Sequence, residues 1–172
     1  MTTNTLTEIR SGTYTIDPAR STCRFTAKHA FGLKPAHGTM TVTGGTVTVA
    51  TDPARSIASA ELDATSFTTD DPRRDRDVRG PRFLDTARHP EIGFRSTHCR
   101  LGPDGWQVAG VLSVRGGSCE VVLDLESWER AGDGYRFTAG CVVDRVAAGV
   151  RGGRGLIQRS VRIALDVVVR PA

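Results

Sequence analysis

The sequence predicts an all-β fold, an antiparallel barrel or sandwich. Three observations carry this expectation. Period-two alternation of apolar and polar residues recurs along the chain. Turn signals arrive roughly every ten residues. The apolar content, 38% of 172 residues, is poor in aromatics (6%) and leans on Val, Ile, Leu and Ala. A chain of this size suffices for one domain with a real core.

The N-terminal stretch MTTNTLTEIRSGTYTID carries no apolar run of signal-peptide type, so a cytoplasmic location is expected. Residues 1–11 are read as a disordered or loosely ordered N-terminus, and 12–172 as a single domain. STCRFTAKH then alternates, with Cys23, Phe25, Ala27 and His29 on one face and Arg24, Thr26 and Lys28 on the other. GTMTVTGGTVTVA reads as two β-branched runs around Gly44-Gly45, a hairpin signal. SIASAELDATSFTT is a further strand. EIGFRSTHCRL groups Ile92, Phe94, Ser96 and His98, and WQVAGVLSVRGG groups Val108, Leu112 and Val114. CEVVLDLESWER turns Val121, Leu123 and Leu125 inward. YRFTAGCVVDR aligns Tyr135, Phe137, Ala139, Cys141 and Val143, and SVRIALDVVV aligns Val161, Ile163, Leu165, Val167 and Val169. About eight or nine strands result, with no internal repeat and no dividing linker.

One stretch breaks the pattern. RRDRDVRGPRFLDTARHP, residues 73–90, holds six arginines and three aspartates. Asp71 followed by Pro72 reads as an N-cap with proline at the first helical position, and Gly80 as the stop. Arg73–Asp77 and Asp75–Arg79 are spaced for i,i+4 ion pairs. A second turn is expected around Phe83-Leu84-Asp85. Val78, Phe83 and Leu84 are the expected anchors of this insert to the sheet.

Chemical signals are sparse. Net charge is +4, and the basic excess concentrates from Arg145 to Arg170, where six arginines meet one acid, Asp166. Cys23, Cys99, Cys119 and Cys141 form no C-x-x-C pair and are expected as free thiols. His29, His37, His89 and His98 form no metal-ligand pattern, so no metal site is expected. Neither G-x-S-x-G nor H-E-x-x-H occurs, and no catalytic residue is assigned. The arginines are interleaved with aspartate and the aromatics alternate inward, which argues against a nucleic-acid partner.

Several fragments fall into a recognisable order. They are the first-strand pattern TIDPARSTCRFTAKHAFG, Arg74-Asp75, Phe83 and Asp85, and His89-Pro90-x-Ile92-x-Phe94-x-Ser96. Val108-x-Gly110-x-Leu112-x-Val114-Arg115-Gly116 and Asp144-Arg145 with Gly149 complete it. From Gly12 to Val169 the chain resembles the YceI-like family of bacterial polyisoprenoid-binding proteins. It departs from the family pattern at Asp77 and Val78, at Met40, and at Ala148, positions where the family usually carries His and Leu, Phe, and an aromatic.

The resemblance implies an extended, eight-stranded, antiparallel, lipocalin-like barrel with a short helical insert around residues 71–86. It implies a carrier or storage protein holding a long apolar lipid in the barrel, an isoprenoid of quinone or prenyl-phosphate type. The implied lining comprises Phe25, Ala27, His29, Phe31, Phe83, Phe94, Leu112, Val114, Leu123 and Phe137. Arg74, Asp75 and Arg145 are expected either to meet a head group or to form an internal network that pins the insert. The run Arg151, Arg154, Arg159 is open to the same two readings, head-group contact or solvated loop. Inward Ala27, Ala60, Ala64, Gly110 and Ala139 either leave volume for a ligand or make room for a larger neighbour. No cofactor is required, and a bound isoprenoid lipid or quinone is admitted. Transient membrane contact and a homodimer are left open. The alternative is an enzyme acting on a small apolar substrate in the same barrel.

Overall fold

The computed structural model describes residues 6–29, 35–153 and 157–172, and the side chains of all of these except 28, 29 and 157. The strands are β1 (Gly12–Ile16), β2 (Thr22–His29), β3 (Pro35–Val49), β4 (Ile57–Thr68) and β5 (Glu91–Gly102). They continue as β6 (Gly105–Val114), β7 (Gly117–Ala131), β8 (Gly134–Asp144) and β9 (Ile157–Pro171). Among the described residues a single α-helix, α1 (Pro72–Arg79), interrupts them.

All pairings are antiparallel. The order β3-β2-β9-β8-β7-β6-β5-β4 closes on itself through β3–β4. β1 pairs with the same two neighbours as β2, namely β3 and β9, so the two short strands share one of eight positions in the barrel wall. The break between them is a 3-10 turn, Pro18–Arg20, capped by the Asp17 side chain. Buried Ser21 stitches it to β9: its Oγ accepts from the Val168 N–H at 3.0 Å and donates to the Asp17 carbonyl at 2.7 Å. Closure removes the exposed sheet edges that invite pairing with other chains.

The Gly44-Gly45 pair does not make the expected hairpin. β3 runs unbroken through it for 15 residues, and the register against β4 slips between Val42 and Gly44. Gly45 has φ +142, and a Cβ there would collide with the Ser59 carbonyl and lie 2.8 Å from the Ala60 Cα. The two glycines therefore let a long strand bend while its neighbour approaches closely, a bulge rather than a turn. A tight turn does occur at Arg115-Gly116, where φ of +52 and +71 joins β6 to β7.

Two further slips reset side-chain parity. β5 shifts against β6 between Ser96 and His98, so His98 is exposed and Cys99 is buried instead. β7 shifts against β8 between Leu125 and Ser127, which brings Trp128 against the core.

Helix α1 starts and stops where the caps predict. Asp71 accepts from the Arg73 and Arg74 N–H groups, and Gly80 closes the end by donating to the Asp77 carbonyl. Its expected i,i+4 ion pairs are not among the salt bridges of the described residues. The Arg79 guanidinium instead donates to the Phe67 carbonyl at the end of β4, at 2.9 Å from Nε. Asp75 turns inward to the same strand end. Arg115, from the β6–β7 turn, donates to the Phe83 carbonyl. The insert is thus tied to the barrel through backbone groups, while Leu84, Val78 and Phe83 pack on the core.

Candidate ligand-binding interior

The inward faces enclose two apolar chambers stacked along the barrel. The upper one, about 190 Å³, is walled by residues of all nine strands around Phe94, Val108, Leu123, Leu125, Phe137 and Leu165. The lower one, about 220 Å³, lies under α1 and the loop after β8, around Phe25, Met40, Phe67, Phe83, Val114 and Ala148. Leu62, Ile92, Leu112, Val143 and Ile163 border both and form a waist between them.

The sequence-predicted lining distributes between the two. Phe94, Leu123 and Phe137 face the upper chamber. Phe25, Ala27, Phe83 and Val114 face the lower one, and Leu112 borders both. Phe31 and the side chain of His29 lie outside the described residues. The small inward residues divide between the two readings left open. Ala27, Ala60 and Ala139 border open volume. Gly110 instead makes room for a neighbour: a Cβ there would sit 2.6 Å from the Phe94 ring.

The charged trio separates into distinct roles. Arg145 borders the lower chamber yet is 7% exposed. Its guanidinium donates to the carbonyls of Gln158 (3.0 Å), Val150 (2.8 Å) and Gly152 (2.6 Å), which fastens the loop after β8 to β9. Asp75 is buried beside the chamber. It accepts from the Thr69 N–H (2.8 Å), Thr69 Oγ1 (2.6 Å) and Thr68 Oγ1 (3.2 Å). Burial raises its pKa, but these donors, with Arg79 nearby, outweigh that and leave it below the ordinary carboxylate value. Arg74 lines the lower chamber with a side chain 28% exposed. Its ion pairs, to Asp70 at 3.6 Å and Asp71 at 3.8 Å, are long ones to more exposed partners. Arg159 pairs with Asp144 at 3.0 Å on the outside, Arg151 is exposed, and Arg154 lies outside the described residues.

Strand parity had marked Cys23 and Cys141 as inward, but the lining assignment passed over them. Both border the upper chamber, as does Cys99. Burial pushes Cys23 up to about 12 and Cys141 up to about 11, and raises Cys99 and Cys119 as well. A nucleophilic cysteine needs the opposite shift, toward thiolate at neutral pH. Ala148 and Val150 of the lower wall come from a loop with no periodicity to reveal them. Leu6 and Ile9, at the end of the upper chamber away from the waist, come from the stretch read as loosely ordered.

Comparison with known proteins agrees with this architecture. A UPF0312 protein of Yersinia pestis is 31% identical over 88 residues, covering 49% of this chain and 46% of the relative. The chain thus spans about half the length of the curated relatives it matches. BcnA of Burkholderia cenocepacia superposes with a TM-score of 0.76 at 21% identity, covering 89% of this chain and 98% of its own. A structure described as a polyisoprenoid binding domain, from Saccharophagus degradans, gives 0.68 at 13% identity over 95% of this chain and all of its own. At such identities the likeness is one of fold, which by itself does not fix a ligand. The family description "YceI-like domain" matches residues 14–169, nearly the whole barrel, and the chain belongs to that family.

Proposed function

We propose that this protein binds a long apolar lipid of isoprenoid type inside the barrel, as a carrier or store, with the lipid's polar head at the α1 end. The observation that carries the reading is the polarity of the interior. Two adjoining chambers that share a waist of five residues are walled almost wholly by hydrocarbon. Among the described lining residues the charged side chains, Arg74 and Arg145, both belong to the lower chamber. A flexible apolar chain gains about 25 cal/mol for each Å² it removes from water, so the two chambers can hold one without a charged contact. A branched, unsaturated chain suits an irregular cavity with a waist. The description of the Saccharophagus relative as polyisoprenoid binding supports the same ligand class. Arg74 is the cation we assign to the head group, because the Arg145 guanidinium already serves three carbonyls. A planar guanidinium can meet a phosphate with two parallel hydrogen bonds or a quinone carbonyl with one. Binding is favoured over catalysis by the near absence of polar groups in the lining and by the family and fold likeness to a polyisoprenoid binding domain.

Delipidated protein titrated with geranylgeranyl phosphate, geranylgeraniol and a short-chain quinone tests this. All three are expected to raise the melting temperature. Arg74→Ala is expected to weaken the phosphate by about tenfold or more and the alcohol far less. No stabilisation by any of them, together with no lipid in an organic extract of the purified protein, would overturn the reading.

A further inference from the structure

At its end away from the waist the upper chamber is closed by a floor that the barrel strands do not supply. Leu6 and Ile9, from the segment ahead of β1, are 9% and 5% exposed and line that chamber directly. The segment is fastened at its end. The Arg10 N–H donates to Tyr135 Oη at 3.0 Å, and Tyr14 Oη donates to the Arg10 carbonyl at 2.6 Å. The two tyrosines pack edge to face with centroids 5.6 Å apart. Inside the segment, the Ile9 N–H closes a turn on the Leu6 carbonyl. The family match begins at residue 14, after these side chains.

We infer that Leu6 and Ile9 form a stopper that sets the longest apolar chain the barrel accepts. The inference rests on the lipid reading above and adds a length limit to it. From Arg145, one residue past β8, back along that strand to Phe137 the lining covers eight residue steps; at ~3.3 Å per residue and a tilt of ~40° the interior is about 20 Å deep. That depth suits the reach of an extended geranylgeranyl chain with its head at Arg74. A longer chain meets the Leu6–Ile9 floor and must displace it or leave its own end in water.

A ladder of prenyl alcohols on the delipidated full chain tests this, read by quenching of Trp106 and Trp128, which pack against the upper cluster. Affinity is expected to rise from farnesol to geranylgeraniol and then fall by about tenfold or more for solanesol. Leu6→Ala/Ile9→Ala should restore solanesol to within a few-fold of geranylgeraniol. Ile9→Trp thickens the floor and should move the optimum down to farnesol. It keeps a large apolar side chain in place, so it serves if the double variant does not fold. Equal affinity for geranylgeraniol and solanesol in the unaltered chain, or an optimum that neither variant moves, would overturn the stopper and leave the lipid reading standing. If no member of the ladder and no prenyl phosphate binds, both fall together.

Discussion

Asp75, which the sequence left between a head-group contact and an internal network pinning the insert, acts in space as a brace. It sits in the densest charge cluster of the chain, yet all its hydrogen-bond donors come from the end of β4. Because these donors favour the charged form, its pKa in the folded state lies below the unfolded value of about 3.9. Its contribution to stability is therefore fully present above that unfolded value and is lost as pH falls through the lowered native one. Asp75→Asn replaces one accepting oxygen by an NH2 group facing donors, at a cost of about 1–3 kcal/mol at pH 7. Urea midpoints measured from neutral to strongly acid pH should show that difference shrinking as Asp75 itself becomes protonated. A difference constant across the range would mean that the carboxylate charge is irrelevant to the brace. The sequence located this residue but misassigned its partner, since i,i+4 spacing reports neighbours on a helix and says nothing about a strand packed across from it.

At the scale of elements, what was legible depended on how local the determining interactions are. The start and stop of α1 could be read from Asp71, Pro72 and Gly80 because a cap is completed within a few residues. The inward faces of β8 and β9 could be read because their alternation runs unbroken. His98 and Cys99 exchanged places because a one-residue bulge in β5 inverts every parity after it, and the bulge is visible only in the pairing with β6. Gly44-Gly45 presented the same ambiguity in stronger form. Two β-branched runs joined by two glycines describe a hairpin and a bent strand equally well. The deciding contact, with Ser59 and Ala60 on β4, is distant in sequence. Gly45→Ala separates the two. In a hairpin loop the change would be mild, whereas here the Cβ meets backbone on one side and Ile16 Cδ1 at 2.8 Å on the other. The expected loss is about 2–4 kcal/mol, read as a fall in the denaturation midpoint. Gly44→Ala, whose Cβ would have only the Glu61 carboxylate at 3.5 Å, should cost much less.

For the whole molecule, the waist decides whether the interior is one site or two. Met40, Val78 and Ala148 all line the lower chamber, and each is a small or flexible apolar side chain. The two chambers are similar in size, and a chain held with its head in the lower one must pass Leu62, Ile92, Leu112, Val143 and Ile163 to use the upper one. Leu112 sits on β6 across from Phe94 and Cys119, half-buried and bordering both chambers. Leu112→Trp should fill the waist. The added bulk costs about 1–3 kcal/mol of stability, which a closed barrel with two open chambers can partly absorb. If a single ligand threads both chambers, the variant loses the gain from every prenyl unit beyond the waist. Geraniol then binds nearly as in the unaltered chain, while geranylgeraniol falls to the level of geraniol. Were the chambers independent sites, the variant would instead keep two classes of short-chain binding, visible as a stoichiometry of two by calorimetry. The length dependence on one side of the waist, and its disappearance when the waist is filled, is the signature that distinguishes a continuous lipid channel from a pair of packing voids.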